Sequence, residues 1–118
     1  MVYVLADNII SPLGDTSEDN YQAVKAGKSA IRAYAPMTDG IPDGFIASLM
    51  SADFEDLVFR SAGKAIDDSG INVADDRSVF ILSSTKGSIE RLGEEPDERQ
   101  YLGETAQRIA TRLGFTTH

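Results

Sequence analysis

Residues 78–92 read SVFILSSTKGSIERL, an apolar run that breaks into Ser83, Ser84, Thr85, Lys86 and Gly87. Hydroxyls, an amine and a glycine at the end of such a run are the ingredients of a phosphate cradle, in which backbone N–H groups and a lysine meet the anion. The spacing argues against that use. Lys86 precedes its glycine instead of following it, and Ser83 stands where another glycine would help. The plain reading is a strand-to-helix connection whose hydroxyls cap the next turn. A loop that lines a substrate pocket is the other reading.

Few other residues can do chemistry. The chain has no cysteine, so it has neither a thiol nucleophile nor a disulfide, and its one histidine, His118, is the last residue. A serine nucleophile needs a base beside it, and a histidine at a free end is poorly placed to be one. Three carboxylate pairs occur: Asp67-Asp68, Asp75-Asp76 and Glu94-Glu95. Adjacent residues on a helix or strand point in different directions, so these are expected to be solvated caps and loops. No calcium-loop pattern and no His/Cys metal spacing is present. Tyr3, Tyr21, Tyr34 and Tyr101 are scattered, as core or boundary packing would have them. No catalytic residue, metal or cofactor follows from these residues.

The elements that would position this loop belong to one domain of 118 residues with no internal boundary. Nineteen acids against eleven bases give a net charge of −8, which disfavours nucleic acid and acidic partners. No apolar run approaches the ~18 residues of a membrane span, and MVYVLADNII has no basic leader region. Absence of cysteine suits a reducing compartment, so the cytoplasm is expected.

Residues 2–6 (VYVLA) read as a buried strand. A loop with Pro12 and Gly14 follows. Thr16 can then cap a helix, with Asp19 as the acid of a capping box, Tyr21 and Val24 on one face beside Ala23 and Ala26, and Gly27 at the end. Residues 28–44 are irregular, with turn signals at Asp39-Gly40, Pro42 and Asp43-Gly44. Residues 45–50 (FIASLM) are a short strand. A long helix is expected from about Asp53 to Ser69, where Phe54, Leu57, Val58, Ala62, Ala65 and Ile66 form one apolar stripe that Gly70 ends. Residues 79–82 (VFIL) are a strand apolar on both faces, which needs cover on two sides. A last helix from about Asp97 to Leu113 carries Leu102, Ala106, Ile109, Ala110 and Leu113 on one face, and Gly114 closes it. The order β-α-β-α-β-α predicts an α/β fold with a layered, mixed or parallel sheet. The pattern breaks off where a further strand is due, so the sheet is expected to be incomplete.

The stretch ISPLGDTSEDNYQAVKAGKSAIR resembles the opening of the β-ketoacyl synthases, which have the thiolase-like fold. Its matching residues are Ser11, Pro12, Gly14, Glu18, Tyr21, Ala23, Val24, Gly27, Ser29 and Ile31, ten positions in fixed register. The helix end Asp68 to Ile71 resembles the family's next helix, RSVFILSSTKGS falls at a strand running into a glycine-rich loop, and TRLGF looks like the end of the helix after it. Where the family's first strand usually ends in Gly-x-Gly, this chain has Ala6-Asp7-Asn8, and Asn8 is expected to replace one glycine by taking a positive φ. Thr85 and Lys86 would lie near the substrate pocket. Lys86 would stand where the family has a hydrophobic residue against the acyl chain, and an unpaired amine there disfavours a long alkyl group.

The resemblance implies a partial thiolase-like layered domain: the N-terminal part of a 3-oxoacyl-[acyl carrier protein] synthase. Such enzymes perform a decarboxylating Claisen condensation in fatty acid or polyketide synthesis. A cysteine thiolate accepts the acyl group, and two histidines assist decarboxylation and stabilise the developing oxyanion. In the family those groups lie downstream of the matched region. The parent protein would therefore be an acyltransferase served by an acyl carrier protein, while this chain alone should be inert. Self-association, as a homodimer or larger species, is expected from an unpaired sheet edge. The alternatives are a non-catalytic partner module of a synthase and a small α/β scaffold of unrelated binding function.

Overall fold

The computed structural model describes residues 1–35, 44–91 and 101–117. Among them are three helices and one small sheet: α1 (Ser17–Lys25), β1 (Arg32–Tyr34), β2 (Phe45–Ala47), α2 (Phe54–Ser69), a 3-10 turn (Ile89–Arg91) and α3 (Leu102–Leu113). The protein is thus mixed α/β. The chain divides into two compact units, Asn8–Ser51 on one hand and Met1–Asp7 with Ala52–His118 on the other.

In the unit of residues 8–51, a tight turn and a helix lock together. Ser11 and Gly14 exchange backbone hydrogen bonds of 3.0 and 3.1 Å across Pro12 and Leu13. The Thr16 hydroxyl then caps α1, accepting from the Asp19 N–H at 3.0 Å and donating to the Asp19 carboxylate at 2.7 Å. Asn20, buried in the first turns of α1, joins the two. Its Nδ2 donates to the carbonyls of Ile9 (3.0 Å), Gly14 (3.0 Å) and Thr16 (2.8 Å), and its Oδ1 accepts from the Ser11 hydroxyl. Gly14 is required by proximity, because a Cβ there would collide with the Cβ of Asp19. Asn8 does not take a positive φ; its side chain donates instead to the Asp15 carbonyl at 3.2 Å.

The buried face of α1 is Asn20 and Ala23, whereas Tyr21 and Val24, expected inside, are 58% and 65% exposed. Lys25 lies over the outward Tyr21 ring, 5.6 Å from its centroid. The helix ends in a Schellman motif, with the Lys28 N–H reaching the Ala23 carbonyl and the Gly27 N–H the Val24 carbonyl. Beyond it, β1 pairs antiparallel with β2 in the register Arg32↔Ala47, Ala33↔Ile46 and Tyr34↔Phe45. Tyr34 stacks on Phe45 at 5.4 Å. The short strand at Phe45 was legible as such, but its partner fell in a stretch that reads as irregular. The turn signals at Asp39-Gly40, Pro42 and Asp43 lie outside the described residues.

The second unit is built on α2 and α3. Asp53 caps α2 by accepting from the Asp56 N–H at 2.8 Å, and Gly70, at φ 66°, ends it. Gly114, at φ 91°, ends α3 in a second Schellman motif that turns Phe115 back onto the helix. Ile109, Ala110 and Phe115 form the buried apolar centre with fully buried Thr105, and Phe80 meets Phe115 at 5.7 Å. The expected start of this last helix, near Asp97, lies outside the described residues. Leu102, expected on the buried stripe, is exposed.

The expected sheet is where sequence and structure part. Residues 2–6 and 79–82 belong to no sheet. Val2, Tyr3, Val4 and Leu5 are exposed on both sides of the chain, while residues 79–84 alternate, with Val79, Ile81 and Ser83 exposed and Phe80, Leu82 and Ser84 half-buried. The described sheet is two-stranded and antiparallel, and no helix packs on it. Among the described elements only α2 with α3 and β1 with β2 pack together. Apolar, β-branched sequence dictates extended backbone, but a ladder needs a neighbour in register, and local sequence does not supply one.

Asn20→Ala should destabilise residues 8–35 by about 1–3 kcal/mol, because it strands buried carbonyls without a donor. Amide hydrogen exchange would show this as lost protection in α1, with α2 and α3 unchanged. Gly14→Ala should give the same pattern.

Candidate functional site

The hydroxyl-rich loop forms as a cap. Ser84 Oγ accepts from the backbone N–H groups of Lys86 (3.3 Å) and Gly87 (2.9 Å), closing the turn that feeds the 3-10 segment. Gly87, at φ 57°, is buried, and a side chain there would meet Leu102 at the start of α3. Thr85 and Lys86 point outward and are exposed. They line none of the three concavities described below.

Behind this turn sits Ser88, 2% exposed, whose Oγ has no hydrogen-bond partner among the described residues. A buried, unpaired hydroxyl is a local cost of about 1–3 kcal/mol. Thr105 is equally buried, but its Oγ1 accepts from Arg108 at 3.1 Å. The Ser88 hydroxyl therefore has no hydrogen-bonded base among the described residues.

A groove of about 470 Å³ runs between α2 and α3 along Phe59, Gly63, Ile66 and Leu113, with Arg60, Lys64 and Arg112 at its rim. Those cations are engaged. Arg112 donates to Asp56 at 2.8 Å while its guanidinium lies 3.7 Å from the centre of the Phe59 ring, and Lys64 pairs with Asp68. Arg108 forms an ion pair with Glu55 across the same helix pair. The groove is therefore an apolar seam with neutralised edges, poorly suited to hold an anion. Smaller hollows lie beside Phe80 and α3 (about 370 Å³) and between residues 3–6 and the end of α2 (about 300 Å³).

Neither described carboxylate pair, Asp67-Asp68 or Asp75-Asp76, is set against a substrate pocket as an acid/base dyad. Asp67 and Asp68 are exposed on α2. Asp75 is clasped by Arg77, which donates from Nε (3.0 Å), Nη2 (2.8 Å) and its backbone N–H (2.9 Å). That clasp lowers the Asp75 pKa to about 2, the guanidinium contributing most. Glu94-Glu95 and His118 lie outside the described residues. Of the tyrosines only Tyr34 is packed, whereas Tyr3, Tyr21 and Tyr101 are 71%, 58% and 65% exposed. Among the described residues no group of three His, Asp or Glu side chains could hold a metal ion, and no helix is long and apolar enough to cross a membrane.

Three residues that matter here were passed over in the sequence: Asn20, Ser88 and Thr105. For Asn20 the available signal was its place one turn after the cap Thr16 and three residues before Ala23. Ser88 and Thr105 carried no local mark, because their burial comes from packing. Compared with the models of known protein families, with curated proteins and with solved structures, the chain matches none.

Two measurements follow. Ser88→Ala should leave stability unchanged or raise it, since it removes an unpaired polar atom; a drop of several degrees in Tm would show that the hydroxyl has a partner. Arg77→Ala should return the Asp75 titration, followed by NMR, toward its ordinary 3.8. With the clasp intact, the depressed pKa means its stabilisation is complete above pH 3.8 and fades as the pH falls through about 2.

Proposed function

We propose that the chain is the N-terminal part of a β-ketoacyl-[acyl carrier protein] synthase, contributing scaffold to an acyltransferase and no reacting group of its own. The observation that carries this reading is the mechanical unity of the Ser-Pro-x-Gly segment. Ser11 and Gly14, two of the residues that carry the resemblance, close one turn, and Asn20 ties that turn to α1. Thr16 starts the helix, and Gly27, another of those residues, follows its end at φ 70°. A motif whose members serve one local structure is better support than the same letters scattered.

The chemistry is consistent with a scaffold. Claisen condensation needs a thiolate and proton-transfer groups, and this chain has no cysteine and a single histidine. The thiolase-like layering would place residues 2–6 and 79–82 as strands of a larger sheet, and their apolar sequence outside any described sheet is in keeping with that reading. The parent would take acyl groups from an acyl carrier protein, and the exposed amine of Lys86 speaks for a short or polar acyl group if this loop reaches the pocket. The same bare segments favour a second reading, a non-catalytic module that pairs with an intact synthase.

Incubated with an acyl thioester and a malonyl thioester, the isolated chain should give no condensation or decarboxylation above buffer. Any turnover would overturn the scaffold role. Sequencing of the locus beyond codon 118 should show the frame continuing to a cysteine and, farther on, two histidines; an in-frame stop would overturn the synthase assignment.

A further inference from the structure

Cations are spread unevenly over this chain. Residues 20–38 carry Lys25, Lys28 and Arg32 and no acid, so all nineteen acids lie elsewhere. The three side chains are exposed on the unit of residues 8–51, and among the described residues none of them enters an ion pair. Lys64, Arg77, Arg108 and Arg112 of the other unit, by contrast, each hold a carboxylate. The acids that precede the cationic run, Glu18 and Asp19, sit in the first turn of α1 and are hydrogen-bonded to Gln22 and Thr16. At 1.5 Å per residue, Glu18 and Lys25 stand about 10 Å apart along the helix axis. Exposed charges that far apart are largely screened at physiological salt, where the Debye length is ~8 Å. Lys25 answers the partial negative charge at the end of α1, whereas Lys28 and Arg32 lie past that end.

Apolar side chains lie among the cations. Tyr21, Val24 and Lys25 are three and four residues apart on α1, so they share one side of the helix, all exposed. Ile31, 63% exposed, and Arg32 follow the Schellman turn, where Ser29 Oγ accepts from the Ile31 N–H at 3.2 Å and Arg32 opens β1. The number of charges selects the partner. Duplex nucleic acid carries a phosphate charge about every 1.7 Å, and anionic membranes engage clusters of about four to eight basic residues. Three cations interleaved with Tyr21, Val24 and Ile31 match a smaller and less charged object, a polypeptide segment with a few carboxylates and apolar side chains between them. The net charge of −8 disfavours acidic partners for the chain as a whole. Screening, however, leaves the choice at this surface to the charges within reach of it.

We infer that residues 21–32 are a docking surface for an acidic, partly apolar segment of another protein. Carboxylates of that segment meet Lys25, Lys28 and Arg32, while its apolar side chains cover Tyr21, Val24 and Ile31. The surface is independent of the synthase assignment, which the thioester assay and the locus test separately. A synthetic peptide of repeated Glu-Leu-Leu-Glu units, labelled for fluorescence anisotropy, should bind the full chain. Its binding should weaken about tenfold as the ionic strength rises from about 0.05 to about 0.5 M. The same peptide with glutamine in place of glutamate should bind about tenfold more weakly or worse. The combined variant Lys25→Glu, Lys28→Glu, Arg32→Glu changes only exposed side chains, so helical circular dichroism should be retained while Kd rises about tenfold or more. Lys86→Glu, at an exposed lysine of the other unit, should leave Kd unchanged. No binding of the peptide, equal binding of its glutamine form, or a triple variant that binds like wild type would each overturn the inference. So would a Lys86→Glu variant that binds as weakly as the triple one, or tighter binding to phosphatidylglycerol vesicles or single-stranded DNA than to the peptide.

Discussion

A helix closes its own hydrogen bonds along its length, whereas an extended segment leaves its N–H and C=O groups to be met by a neighbour. That asymmetry governs this protein. The three described helices end at glycines 27, 70 and 114, and α1 and α2 begin on the caps Thr16 and Asp53. The one sheet described, β1 with β2, has three residue pairs, and its partners are close in sequence. At residues 2–6 and 79–82, where pairing needs a distant neighbour, no ladder forms among the described residues.

The α2/α3 pair shows which interactions hold the larger unit. Burying a side chain such as Ile109 contributes about 1.5–3 kcal/mol, while a partly exposed ion pair contributes about 0–1 kcal/mol. Packing of Ile109, Ala110 and Phe115 therefore dominates, and the Glu55–Arg108 and Asp56–Arg112 pairs serve mainly to fix how the helices meet. The contact is one-sided, however. α3 buries three residues fully, but α2, despite a clear apolar stripe, buries none. A 16-residue amphipathic helix with its stripe only half covered has room for further polypeptide on that face.

The chemistry follows the same division. Several of the described groups able to react are engaged in structure: Ser84 as a cap, Thr105 as an acceptor for Arg108, Asp75 as the anchor of Arg77. Lys64 and Arg112 at the α2/α3 groove are paired with carboxylates of α2. What the chain offers is shape, a locked turn and apolar surface.

Local rules decided the helices from the sequence. Caps, glycine ends and the stripe of α2 depend on residues within a turn of each other, so Thr16, Asp53, Gly70 and Gly114 could be read directly. The capping role of the serine-rich loop was legible for the same reason. Tertiary structure decided what faces what. It turned Asn20 and Ala23 inward on α1 in place of Tyr21 and Val24, because a side chain that satisfies three carbonyls and a hydroxyl outweighs two half-covered apolar groups. It buried Ser88 and Thr105, and it left residues 2–6 and 79–82 unpaired. Periodicity reports which segments are extended, whereas pairing depends on which chain lies beside them, and that information is not local.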